Sequence, residues 1–220
     1  MVAHRALSLT GLVLRGVTNY FGNPLVWDSI GKILKRFRNE VFVGIDGDRQ
    51  HHHRATLFKC CSCWIVTPWR SRFWPWGKGY GPLSSWMVAV ARSSEDTRST
   101  RTVFRVAGEN DSEGIVGLVW QSGEMHVLEL PPVSATPTEE ELQAYAVASM
   151  MPIEWVRHRA KKKGHFPRQL CGIPIEVKNK RWGVLVLDSR RPNTINDKGR
   201  TWSANVKFAQ LSLGELLRLV

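Results

Sequence analysis

The stretch LCGIPIEVKNKRWGVLVLDS, residues 170–189, holds two runs rich in apolar and β-branched residues with a polar pair between them. Leu170–Lys178 and Arg181–Asp188 read as two strands around Asn179-Lys180, since two residues between alternating runs match the shortest hairpin connection. Gly183 removes a side chain where a backbone or a ligand must approach closely. Pro174 donates no ladder hydrogen bond, so it belongs at a sheet edge or a bulge.

Upstream, Pro131–Pro137 is a linker that delivers Thr138 as an N-cap. Thr138 with Glu141 fits a capping box, and Leu142, Tyr145, Ala146 and Met150 form one face of the following helix. A second short helix is expected over Ile153–Lys162. Before the linker, Glu113–Gly123 reads as a short helix with a glycine stop and Glu124–Leu130 as a strand. Gly114 and Gly117, three apart at that helix start, allow close packing or leave amide donors free for an anion. Further strands are expected at Arg54–Val66, Trp86–Arg92 and Thr102–Val106. Asn205–Val220 is expected to be a helix with Val206, Ala209, Leu213, Leu216, Leu217 and Val220 on one side. At the other end, Trp27, Ile30, Ile33, Leu34, Phe37 and Val41 recur at helical spacing over residues 24–41, with Lys32, Lys35, Arg36 and Arg38 off that stripe. The fold class this order implies is α+β: an antiparallel sheet flanked by helices.

The 220 residues are 43% hydrophobic and 23% charged, which excludes a disordered, collagenous or coiled-coil chain. Net charge is +12, and the excess is uneven: residues 1–110 carry 16 Lys/Arg against 7 Asp/Glu, and the rest 15 against 12. Five of ten tryptophans fall between Trp64 and Trp86, among Pro, Gly and Arg, where no regular element is expected over Thr67–Pro82. Interleaved aromatics and cations can stack bases and follow phosphates, or simply cover the sheet. His51-His52-His53 ahead of Cys60, Cys61 and Cys63 has metal-binding side chains, but Cys-Cys-x-Cys lacks the spacer of zinc knuckles. The reading is of core cysteines beside an exposed histidine loop, with no metal. Four cysteines make no disulfide scaffold. The Ala6–Val17 run is too short to span a bilayer, and a cytoplasmic location is expected.

Two stretches together resemble the GAF family of small-molecule-binding sensory domains: Gly114-Ile115-Val116-Gly117 through Ser122-Gly123-Glu124 to Val127, and Ile173-Pro174-Ile175 with Trp182-Gly183-Val184 through Asp188-Ser189. Arg54–Phe58 is similar to that family's first strand. The resemblance implies a domain over residues 24–220, with residues 1–23 as an extension and a Trp-rich insertion at about 67–85. It also implies terminal helices on one sheet face, often used for homodimerisation, and a ligand pocket on the other, roofed by residues 128–170. By the same resemblance, ligand-binding candidates are Tyr145, Trp155, His158, Arg168, Cys171, Gly183 and Asp188, for a small ligand, planar or anionic in the manner of a nucleotide. No cofactor is named by the sequence.

Departures narrow this. The Asn-Lys…Phe…Asp-Glu signature of cyclic-nucleotide GAF domains is absent. Cys171 is followed by Gly172, not by the His of bilin-binding members. The roof has none of the cysteines used by methionine sulfoxide reductases on this fold. No nucleophile–base motif, Walker loop or paired carboxylates are present either. The expectation is a non-catalytic sensory domain that signals to a partner, either a second copy or a separate effector chain. The alternative is an interaction module whose basic, Trp-rich surface binds protein or, less expectedly, nucleic acid.

Overall fold

The computed structural model describes residues 24–42, 53–62, 85–93, 103–107, 111–162, 164–195 and 200–219. Most of the Trp-rich segment, His51, His52 and Cys63 lie outside them, as do residues 1–23.

The amphipathic segment forms α1 (Pro24–Val41). Val26, Ile30, Leu34 and Phe37 are buried, and Trp27, Ile33 and Val41 pack partly against the same core. Lys32 pairs with Asp28 at 2.7 Å and Arg36 with Glu40 at 2.7 Å, each one turn apart on the outer side. Arg38 departs from the expectation. It is buried, donating from Nε and Nη2 to Asn39 Oδ1, because its position on the helix turns it inward.

The strands are β1 (His53–Ser62), β2 (Ser85–Arg92), β3 (Val103–Ala107), a two-residue β4 (Asp111–Ser112), β5 (His126–Glu129), β6 (Gln169–Val177) and β7 (Lys180–Ser189). They form one sheet in the order β4-β3-β2-β1-β7-β6-β5, with every neighbouring pair antiparallel. The α+β class is as expected. Between β4 and β5 lies α2 (Gly114–Ser122), closed by Gly123 in the left-handed region at φ 73°. Between β5 and β6 lie α3 (Glu139–Ser149) and α4 (Ile153–Lys161), and α5 (Arg200–Leu217) follows β7. The last helix thus begins five residues earlier than its apolar stripe suggested.

Two local expectations are corrected. The hairpin turns at Lys178-Asn179, not Asn179-Lys180, with φ of 51° and 59°. A two-residue turn matching strand twist needs both residues at positive φ, and Lys178 and Asn179 take those positions while Val177 pairs with Lys180. Met150 leaves the helical face and becomes the left-handed C-cap of α3 at φ 54°, while Leu142, Tyr145 and Ala146 remain buried. The Thr138 side chain accepts from Glu141 N as an N-cap should, and the Glu141 carboxylate accepts from Ser134 N and Oγ.

Alternation along the central strands separates two layers. On one face Ala55, Leu57, Cys171, Ile173, Ile175, Leu185 and Leu187 pack against α1 and against Trp202, Ala209, Leu213 and Leu217 of α5. On the other, Phe58, Val184 and Val186 meet Ile115, Val116 and Val119 of α2. Beyond α2, Leu142, Tyr145 and Val156 of α3 and α4 close over Leu128 and Leu170. Terminal helices on one face and a roof on the other is the layout the GAF resemblance implies. No helix among the described residues is long and apolar enough to cross a membrane.

Candidate functional site

The roof side of the sheet is apolar under α2 and becomes polar toward the start of β1 and the end of β7. There Arg54 and Asp188 stand opposite each other in the β1–β7 ladder, on the same face as Val184 and Val186. Arg54 Nε donates to both carboxylate oxygens, at 2.9 and 3.1 Å. The Asp188 side chain is 12% exposed and that of Arg54 32%, so water still reaches the pair.

Three further groups converge on it. Tyr145 of α3 is buried, and its hydroxyl donates to Pro167 O at 3.2 Å. Burial pushes its ionisation well above the ordinary tyrosine range. Arg159 of α4 donates from Nε and Nη2 to His165 O, and its guanidinium lies 5.7 Å from the centre of the Phe166 ring. Phe166 in turn meets Tyr145 edge-on at 4.9 Å. Arg159 is exposed as a residue, yet its charged end is crowded by protein. That burial lowers its pKa, with Arg54 adding to the effect and Tyr145 and Asp188 opposing it. Arg190 follows β7 directly. Burial, then Arg54 and Arg159, lower its pKa against the attraction of Asp188. Three guanidiniums and one carboxylate therefore share this corner.

The segment that carries Arg190 is held by one buried amide. Gln169 Oε1 accepts from Thr194 N at 2.9 Å, Thr194 Oγ1 at 3.0 Å and Ile195 N at 2.7 Å. Ser189 Oγ binds Arg191 N and O, both at 3.0 Å, which is the turn role expected at the end of the strand.

Of the seven residues singled out from the sequence, Tyr145 and Asp188 meet at this corner. Arg168 borders it, but its side chain is used structurally, with Nε donating to Leu130 O at 3.1 Å. Trp155 and His158 sit half-buried on α4. Cys171 is fully buried on the opposite face, against the terminal helices, because its strand position has the wrong parity for the roof. Gly183 answers a backbone rather than a ligand: a Cβ there would lie 2.0 Å from Phe58 O. Gly117 is equally occupied by packing, with its Cβ position 2.6 Å from Ser112 Cβ. The amides of Gly114 and Gly117 donate to Met150 O and Glu113 O, so neither is left for an anion. Sequence reasoning missed Arg54, Arg159 and Arg190 as members of a site. Only the Asp188-Ser189-Arg190 strand end hinted at one of them.

Among the described residues no group of three His, Cys, Asp or Glu is placed to hold a metal. His53 is buried and stacks on Phe42 at 4.1 Å. Burial raises Cys60, and raises Cys61 to about 11 with Lys59 partly offsetting it, which is the opposite of a reactive thiol. In a Cys63→Ser chain at pH 8, Cys61 should be held almost entirely as the thiol by its burial. Iodoacetamide labelling of Cys61, followed by mass spectrometry, should be slow until urea unfolds the chain. Rapid labelling of the folded chain would contradict this environment.

No family model matches the sequence, and no curated protein does. Among solved structures, the chain is similar to the GAF domain of an Acinetobacter phosphoenolpyruvate-protein phosphotransferase, at 14% identity and TM-score 0.44 over 90% of this chain and 95% of that one. It is also similar to the GAF domain region of a putative membrane protein from Geobacter sulfurreducens PCA, at 12% identity and TM-score 0.41 over 87% and 92%. A third is an NreA protein mutated in its nitrate binding site from Staphylococcus aureus, at 15% identity and TM-score 0.40 over 77% and 88%. At such identities and scores, the GAF-like architecture rests on this chain's own strand order and helix placement.

Proposed function

We propose that residues 24–220 form a non-catalytic sensory domain that takes up a small ligand between roof and sheet and signals to a partner chain through its terminal helices. The carrying observation is the polar corner at Arg54, Asp188, Arg159 and Arg190, on the roof side of two strands whose alternate residues build the helix layer. Asp188 is next to Leu187, and Arg54 is next to Ala55, so a ligand that draws on the first of each pair tilts the second. The outer surfaces of α1 and α5 carry exposed Leu25, Phe208 and Leu211, which suits contact with a second copy or an effector.

Thermal-shift screening of small anions and metabolites, followed by hydrogen exchange with each hit, tests this. A ligand of the sensor raises the unfolding temperature by mass action and alters exchange in α1 and α5. Hits that leave both helices unchanged would defeat the signalling half. The second reading, an interaction module, is favoured by the basic excess of residues 1–110 and the tryptophans of 64–86. It predicts no hits in the screen and co-purified nucleic acid or protein that a high-salt wash removes.

A further inference from the structure

The roof-side corner is unbalanced in charge and in hydrogen bonding. The Arg54 side chain spends only Nε on Asp188, and among the described residues neither of its Nη groups has a partner. Arg159 commits Nε and Nη2 to a carbonyl, leaving Nη1. Arg190 makes no hydrogen bond or ion pair among the described residues, although it is half-buried and within electrostatic reach of Arg54, Asp188 and Arg159. Among the described residues, one carboxylate faces three guanidiniums, an excess of two positive charges where water is partly excluded. A protein gains nothing in stability from crowding like charges in this way. Forked guanidiniums with free N–H groups are, in contrast, the usual partners of tetrahedral oxyanions.

We propose that Arg54, Arg159 and Arg190 together bind a phosphate-type dianion, with Asp188 orienting Arg54 from behind. This inference rests on the sensory reading above and supplies the chemical class of its ligand. Each arginine comes from a different element: β1, α4 and the segment after β7. An anion between them ties roof to sheet, which an apolar ligand at the same place does not do. A dianion matches the excess of two positive charges among the described residues, and a monoanion leaves one over.

The test is calorimetric titration of the full chain with inorganic phosphate at constant ionic strength set with chloride. Arg190→Gln is the informative variant, because the Arg190 side chain holds no other group in place among the described residues, and Lys207→Gln on the exposed side of α5 is its control. Saturable binding is expected. Arg190→Gln should weaken it about tenfold or more, as loss of a charged hydrogen-bonding partner does, and Lys207→Gln should leave it unchanged. Absence of saturable binding, or equal losses in both variants, overturns the proposal. A nucleoside 5′-monophosphate binding much tighter than phosphate identifies the group as an ester on a larger ligand, and equal affinities identify the free ion. Arg190-dependent phosphate binding without altered exchange in α1 and α5 keeps this inference and removes the sensory reading. An uncharged ligand that alters those helices, with no phosphate binding, does the reverse.

Discussion

Replacing Gly183 by alanine should cost at least ~3 kcal/mol and leave little soluble protein, because overpacking against a backbone has no flexible neighbour to yield. The new Cβ would stand 2.0 Å from Phe58 O and 3.1 Å from Phe58 C. Those atoms belong to β1, which is already paired on both sides, so β1 cannot retreat without breaking the ladder to β2. Gly31→Ala in α1 is the matched opposite. Nothing lies within 4 Å of its Cβ position, and an alanine there should add about 0.5–1 kcal/mol by removing glycine's entropic penalty in a helix. Urea unfolding midpoints of the two variants should therefore move in opposite directions. A Gly183→Ala midpoint at the parent value would mean that β1 and β7 are further apart than described.

Gln169→Met should cost about 2–4 kcal/mol, since it leaves the buried amides of Thr194 and Ile195 without an acceptor. Methionine fills a similar volume, so the loss isolates the amide's polarity rather than creating a cavity. The consequence reaches beyond stability. Residues 190–195 lose their anchor, Arg190 is no longer held near Arg54, and phosphate affinity should fall even though no arginine has changed. Amide exchange at Thr194 and Ile195 reports the event directly. If those two amides keep their protection in the variant, Gln169 is not what holds the segment.

How much of this could be read from the sequence differed by the range of the interaction. Helix α1 is legible to the residue because its apolar spacing is local, and the Gly123 stop and Thr138 cap are chemical signals confined to a few neighbours. The β6–β7 hairpin is legible as a hairpin, yet its turn is displaced by one residue. Pattern marks where polarity changes, whereas the positive φ values at Lys178 and Asn179 decide where the chain reverses. The site was mostly hidden. Arg54 and Asp188 are 134 residues apart, and nothing in the spacing of either states which cross-strand register joins them. The same parity that brings Asp188 to the roof takes Cys171 away from it. That could be deduced only once the register of β6 against β7 was known.

The position of β1 in the sheet has a consequence for how the chain is made. Its two neighbours are β2, which follows it in sequence, and β7, the last of the described strands to be synthesised. A ribosome delivers β1 more than 100 residues before β7, so one edge of a strand carrying Ala55, Leu57 and Phe58 stays open until residues 180–189 are made. The β6–β7 hairpin, whose contacts are local, is the piece that fills the gap. A nascent chain stopped before residue 180 lacks the centre of its sheet, and premature termination there yields an aggregation-prone fragment rather than a smaller folded domain.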